Sequence, residues 1–169
     1  MRLPRSPSDG PRRTDRDLVS GFGHTPNGAL LAAIHIVVRA APQWAPDVFE
    51  STITHQVIGP DKVELLESIR SAHEQLRKRA RLPVGVALGR AHAAIEGFRF
   101  LGYTPSLASL DLLSAGPGED DLTVRAATRV QLRWHDGDWR AICPLGGDWG
   151  SSAVPITSTA GYTLFPTGR

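Results

Sequence analysis

The sequence predicts an α+β fold, with N-terminal helices packed on one face of a curved antiparallel β-sheet. Three observations carry that reading. From Leu122 to Trp134 apolar and polar residues alternate, with Ala127 and Thr128 the exceptions, the period of a strand with one buried and one wet face. Residues 30–41 and 63–76 instead repeat their apolar positions at helical spacing, the stripe of an amphipathic helix. The helical segments come first and the strands follow, an order that builds α+β domains.

Met1 to about Ser20 is rich in Pro, Arg, Asp and Ser and poor in apolar residues, so residues 1–20 are expected to form a disordered arm. Gly21 to His24 then leads into the first helix, with Thr25 suited to its N-cap and Pro26 to its first position, where no N–H is needed. Leu30, Ile34, Val37, Val38 and Ala41 mark the buried stripe, and Pro42 stops the helix. A short second helix starts at Pro46 and turns Val48, Phe49 and Ile53 inward. Gly59-Pro60-Asp61 opens a third, with Val63, Leu66, Ile69, Ala72, His73 and Leu76 on its buried side. Acidic residues near its start and Arg77 to Arg81 near its end suit the helix dipole.

Leu82 to Arg90 is apolar but broken by Pro83, Gly85 and Gly89, which predicts a loop lying against the body. Strands are expected over His92 to Gly102, where Gly97 can form a bulge, and over Leu107 to Ser114. A loop from Ala115 to Asp121 enters the long strand. His135-Asp136-Gly137-Asp138 turns it into a return strand carrying Trp139, Ala141 and Cys143. If Leu122, Val124, Val130, Leu132 and Trp134 bury fully, each contributes about 1.5–3 kcal/mol, enough to make this hairpin the core. Residues 21–144 therefore read as one domain. Residues 145–169, where large apolar side chains stud a Gly/Ser/Thr/Pro background, read as an extension partly packed on it.

Composition narrows function mainly by exclusion. A formal charge of +2 is too small an excess to argue for nucleic acid, so nucleic acid is not an expected partner. Only Lys62 and Lys78 are lysines, an arginine bias of the kind a GC-rich genome produces. The lone Cys143 permits no intramolecular disulfide and no multi-cysteine zinc site. Its place in a strand argues for a small buried hydrophobe. No apolar run approaches the roughly 20 residues of a membrane helix and no signal-type segment opens the chain. Cytoplasmic residence is the expectation, with membrane association only through a partner.

The six histidines stand at 24, 35, 55, 73, 92 and 135, none paired at metal-binding helical spacing, and no metal or cofactor is expected. His35 and His73 lie near apolar helical stripes and are the weak candidates for acid–base catalysis; packed histidines with one satisfied nitrogen are far commoner. Asp136 and Asp138 flank a turn glycine, where carboxylates are structural. The glycine pairs Gly85/Gly89 and Gly146/Gly147 lack the setting of a phosphate cradle. Arg125, Arg129 and Arg133 form a ladder on the outer sheet face, which Arg99 or Arg140 can extend, with Trp139 in the adjoining strand. Arg125, Arg129, Arg133 and Trp139 are the candidate binding residues, for an anion, a nucleic acid or a protein surface, against the commoner reading of a solubilising wet face.

Two stretches carry a resemblance. Gly21-Phe22-Gly23-His24-Thr25-Pro26-x-Gly28-Ala29, and Gly97-Phe98-Arg99-Phe100-x-Gly102-Tyr103 followed by Val130-x-Leu132-x-Trp134-x-x-Gly137-Asp138-Trp139-Arg140, resemble small actinobacterial proteins encoded among the transfer genes of conjugative plasmids and integrative elements. The resemblance covers roughly Gly21 to Pro144. It implies a cone-shaped fold like that of nuclear transport factor two, shared with the bitopic scaffold subunits of type IV secretion machines, which carry no catalytic residues. It further implies a non-enzymatic scaffold working through protein partners such as transfer-apparatus subunits, with a homodimer compatible. The competing expectation is a small-molecule binder or acid–base enzyme of the same fold, with a histidine in an apolar pocket.

Overall fold

A computed structural model of the chain describes residues 3–82, 88, 93–118 and 122–166. Nine strands and three α-helices occur among them: β1 (Arg13–Asp15), β2 (Leu18–Ser20), α1 (Pro26–Arg39), α2 (Pro46–Gln56), β3 (Val57–Ile58), α3 (Lys62–Ala80), β4 (Ala94–Tyr103), β5 (Leu107–Pro117), β6 (Thr123–His135), β7 (Asp138–Ile142), β8 (Ala153–Pro155) and β9 (Thr163–Leu164). The fold is α+β. Its main sheet runs β3-β7-β6-β5-β4-β9, with β8 also on β6. It is mixed, not purely antiparallel as expected, because β3 follows α2 back along β7 in parallel, Val57 against Ala141. Two residues between two helices leave no periodicity from which to read such a strand.

Thr25 caps α1 as its sequence suggests, accepting from the Gly28 N–H at 2.9 Å, with Pro26 opening the helix. Helix α1 lies across β5, β6 and β7 and is buried on all sides from Gly28 to Ile36, a wider burial than one stripe requires. A Cβ on Gly28 would collide with the Gly23 carbonyl, so only glycine lets the helix start close under that loop. Helix α2 packs between α1 and α3. Helix α3 begins one residue beyond Asp61 and buries Leu65 and His73, while Val63, expected inward, is exposed.

The first 20 residues, expected to be disordered, are folded over their described part. A β1–β2 hairpin pairs Arg13 with Ser20 and Asp15 with Leu18. Val19 is buried in the main core and Leu3 packs against it. Asp9 accepts from the hydroxyls of Thr25, Ser8 and Ser6 at 2.5, 2.7 and 3.2 Å, which holds its carboxyl below the ordinary carboxylate range. The Arg39 guanidinium reaches the Asp17 carbonyl. Low hydrophobicity misled here because polar bonds to distant residues, more than apolar burial, order this segment.

The predicted hairpin is present. Trp134 faces Trp139 and His135 faces Asp138 across a two-residue turn. Asp136 and Gly137 sit at φ 50° and 76°, the paired positive values of a type I′ turn. Val130 and Leu132 are fully buried with Leu110 and Leu112 of β5. Burial does not extend to the start of β6: Leu122 and Val124, expected in the core, are 67% and 54% exposed. Strand β4 shifts register between Ile95 and Gly97, at the expected bulge, and again between Phe100 and Gly102. The expected loop at residues 83–87 and 89–90, the strand start at His92 and the loop at 119–121 lie outside the described residues.

After Cys143 the chain leaves the sheet, turns at Leu145–Gly147 against the start of α3, and returns as β8 beside Ala126 to Thr128. It then crosses the outer sheet face to add β9 to the far edge of β4 at Gly97 and Phe98. This crossing buries Leu113, Ala115 and Ala127, which alternation alone places on the wet side.

Candidate functional site

The outer face, opposite the helices, carries a groove of about 800 Å³. It forms because β7 and β8 share one edge of β6 without meeting. Pairing with β7 ends at Leu132, and pairing with β8 begins at Thr128. Arg129 to Gln131 therefore lack a lateral strand there, and residues 143–152 arch away as one wall. Trp149, Val154 and Ile156 line it from the returning chain, and Tyr162 from the crossing segment.

Asp111 sits at its floor, 3% exposed, with one carboxylate oxygen 2.8 Å from Arg99 Nη2 and the other 3.1 Å from Arg129 Nε. The register Arg99–Asp111–Arg129 across β4, β5 and β6 sets this triad. Arg99 is also held face-on by the Tyr162 ring, 4.6 Å from its centroid. Asp111 orients both guanidinium planes, and the outer Arg129, with 56% of its side chain exposed, keeps donors toward the groove.

The arginine ladder is thus not one continuous cationic stripe. Arg125 is held by Glu96 at 2.7 Å and Arg129 by Asp111, while Arg133 has no ion-pair partner among the described residues. Trp139 does not belong with them at all. It is fully buried and faces the helices, because the two-residue turn sets it opposite Trp134 on the inner face. Arg99, read as a possible extension of the ladder, does join Arg129, but through Asp111, which was absent from the candidates. One signal could have found it: Asp111 interrupts the largely apolar run Leu107 to Leu113, a charge that needs a partner if its strand is central.

Neither candidate catalytic histidine lines this groove. His35 Nε2 lies 2.8 Å from the Pro4 carbonyl and its ring packs against Phe22; His73 Nδ1 lies 2.8 Å from the Pro42 carbonyl beside Phe49. Each is therefore a packed histidine whose bonded nitrogen donates to a carbonyl. Cys143 borders the groove, but burial, with Asp61 and Glu64 nearby, pushes its thiol up to about 11, so it stays protonated and a poor nucleophile at neutral pH. Among the described residues no group of three His, Cys, Asp or Glu is placed to hold a metal ion, and no helix is long and apolar enough to cross a membrane.

His35 gives a pH prediction. Burial lowers its pKa below the ordinary 6.5, outweighing the Pro4 bond, and Arg39 and Arg5 act in the same direction. Its Nδ1 is buried without a partner, so protonation would strand an N–H there. Below pH 6.5 the unfolded chain takes up a proton that the folded one refuses until its lower pKa is reached. Stability should therefore fall on acidification through that window. Urea midpoints from pH 7.5 to 5 should drop for the wild type and flatten for His35→Phe; equal slopes would overturn this account.

The chain matches a family model described as domain of unknown function DUF8175 over residues 1–164. No curated protein and no solved structure matches it.

Proposed function

The chain belongs to the DUF8175 family. We propose that it is a non-enzymatic protein-interaction domain with the outer-face groove as its docking surface, serving conjugative DNA transfer or type IV secretion as the sequence resemblance implies. The observation that carries the docking reading is the groove's make-up. Trp149, Tyr162 and Arg129 gather around the laterally unpaired stretch of β6, and these are the residue types that dominate binding energy at protein interfaces. An unpaired strand stretch at the bottom of a groove suits an extended segment of a partner subunit. Arg129 suits an acidic residue on that segment. The three helices ahead of the long strands β4 to β7 and the two register shifts in β4 support reading the fold as the cone of nuclear transport factor two, with its interior filled by side chains such as Leu110, Leu132 and Trp139. The acid–base alternative loses support because His35 and His73 spend their bonded nitrogens on proline carbonyls.

Leu145, at the groove wall and 89% exposed, can carry a photo-crosslinking residue without disturbing packing. In a host with an active conjugative element, that position should crosslink to a transfer-apparatus subunit, and the same probe at exposed Glu74 on α3 should not. Adding Arg129→Gln, which leaves Arg99 on the buried Asp111 and can still donate to it, should cut the crosslink several-fold while costing about 1–3 kcal/mol of stability. Crosslinks that are equal from both positions, or that contain no transfer protein, would sink the proposal.

A further inference from the structure

A separate cavity of about 410 Å³ lies between the β1–β2 hairpin, the end of α2 and the β6–β7 turn. It is independent of the groove and of the reading placed on it. Its charged walls are Arg12 and Arg13 from the N-terminal segment, Arg140 of β7, and Asp136 and Asp138, with His24 and His55 at its rim. Both Asp138 oxygens are engaged, accepting from the Gly21, Phe22 and Trp139 N–H groups at 2.8, 3.0 and 2.9 Å. Asp136 leans 3.1 Å from His135 and is largely in solvent. Arg140 forms a long ion pair with Asp138 at 3.8 Å, beyond hydrogen-bond reach, so its N–H donors stay open. Among the described residues Arg13 and His55 have no partner, and Arg12 gives one N–H to the Ser8 carbonyl. Three guanidinium groups thus border one cavity with most of their donors unused. Leu18 and Trp134, the latter stacked on His24 at 3.9 Å, supply apolar wall beside them.

We propose that this cleft binds a small phosphorylated organic molecule. Arg13 and Arg140 hold its phosphoryl group and its organic body rests against Leu18 and Trp134. Guanidinium forks match phosphoryl oxygens in pairs, and several of them together suit a group near −2 better than a single carboxylate. The cavity's volume lies in the range of small-molecule sites, far larger than one phosphate needs. Because one arginine belongs to the N-terminal segment and the other to the sheet, a bound ligand ties the segment to the body.

The test is calorimetric titration of the full chain with ribose 5-phosphate, adenosine 5′-monophosphate, inorganic phosphate, ribose and adenosine. At least one phosphate ester should saturate more tightly than inorganic phosphate, and less tightly as salt rises, while ribose and adenosine should not bind. Arg13→Gln and Arg140→Gln should each weaken binding about tenfold. The exposed Arg13 position decides the matter should Arg140→Gln misfold. Ligand should also slow tryptic cleavage after Arg13. Binding of both esters identifies phosphoryl recognition, and binding of the nucleotide alone adds base stacking on His24. No saturation by either ester, affinity no better than that of inorganic phosphate, or binding indifferent to both substitutions would each overturn the site.

Discussion

Trp139→Ala is expected to destabilise the fold by about 3–5 kcal/mol, measured by urea or guanidinium denaturation. Trp139 is completely buried, packed edge-on against Trp134 at 5.3 Å and near Tyr103 at 6.0 Å. Its indole Nε1–H donates to the Gly23 carbonyl at 2.9 Å, so the residue pins the loop entering α1 as well as filling the core. Truncation removes the largest buried side chain and leaves a buried carbonyl without its donor. Trp139→Phe separates the two effects, keeping most of the packing and losing the bond, and should cost roughly half as much. A cost below about 1 kcal/mol for the alanine variant would contradict the burial described here.

The neighbouring Asp138→Ala should cost about 3–5 kcal/mol, because three backbone N–H groups lose their shared acceptor and each orphan costs about 1–3 kcal/mol where water cannot reach it. Gly21 is only half-buried, so its share sits at the low end. Asp138→Asn keeps one carbonyl oxygen, which can serve Phe22 and Trp139 but turns an amide N–H toward Gly21; about half the loss should remain. Residues 138 and 139 fix the same loop to the same strand. The double variant Asp138→Asn/Trp139→Phe should therefore fall short of the summed single costs by about 0.5 kcal/mol or more. Strict additivity would show that the two contacts act independently.

Both variants bear on the N-terminal segment. With the Gly21 and Phe22 anchors weakened, the β1–β2 hairpin should open to protease before the sheet unfolds, since it depends on a few tertiary contacts and owes little to its own core. The wall it gives to the Arg13–Arg140 cavity would be lost with it.

Local chemistry wrote the helices and the central hairpin plainly. The Thr25 cap, the prolines at 26 and 46, the alternation of β6 and the Asp136-Gly137 turn act within a few residues, so sequence order is enough to read them. The inward direction of Trp139 was also within reach, because a two-residue turn puts 139 opposite 134 and so on the same face. Alternation, however, names a face and not its cover. It set Val124 in phase with Val130, yet the packed core does not reach Val124; it set Ala127 outward, yet β8 and the crossing chain bury it.

By itself, then, the sequence determined the α+β class, the three helices and the long strand pairs, all matters of spacing along the chain. The tertiary structure alone decided that the N-terminal segment is ordered, that β3 runs parallel to β7, that Asp111 gathers Arg99 and Arg129, and that two cavities exist. The physical reason lies in the distance bridged. Asp138 meets Gly21 across 117 residues and Arg125 meets Glu96 across 29. A polar group's partner at such separations is chosen by the packed fold, and no local propensity encodes it.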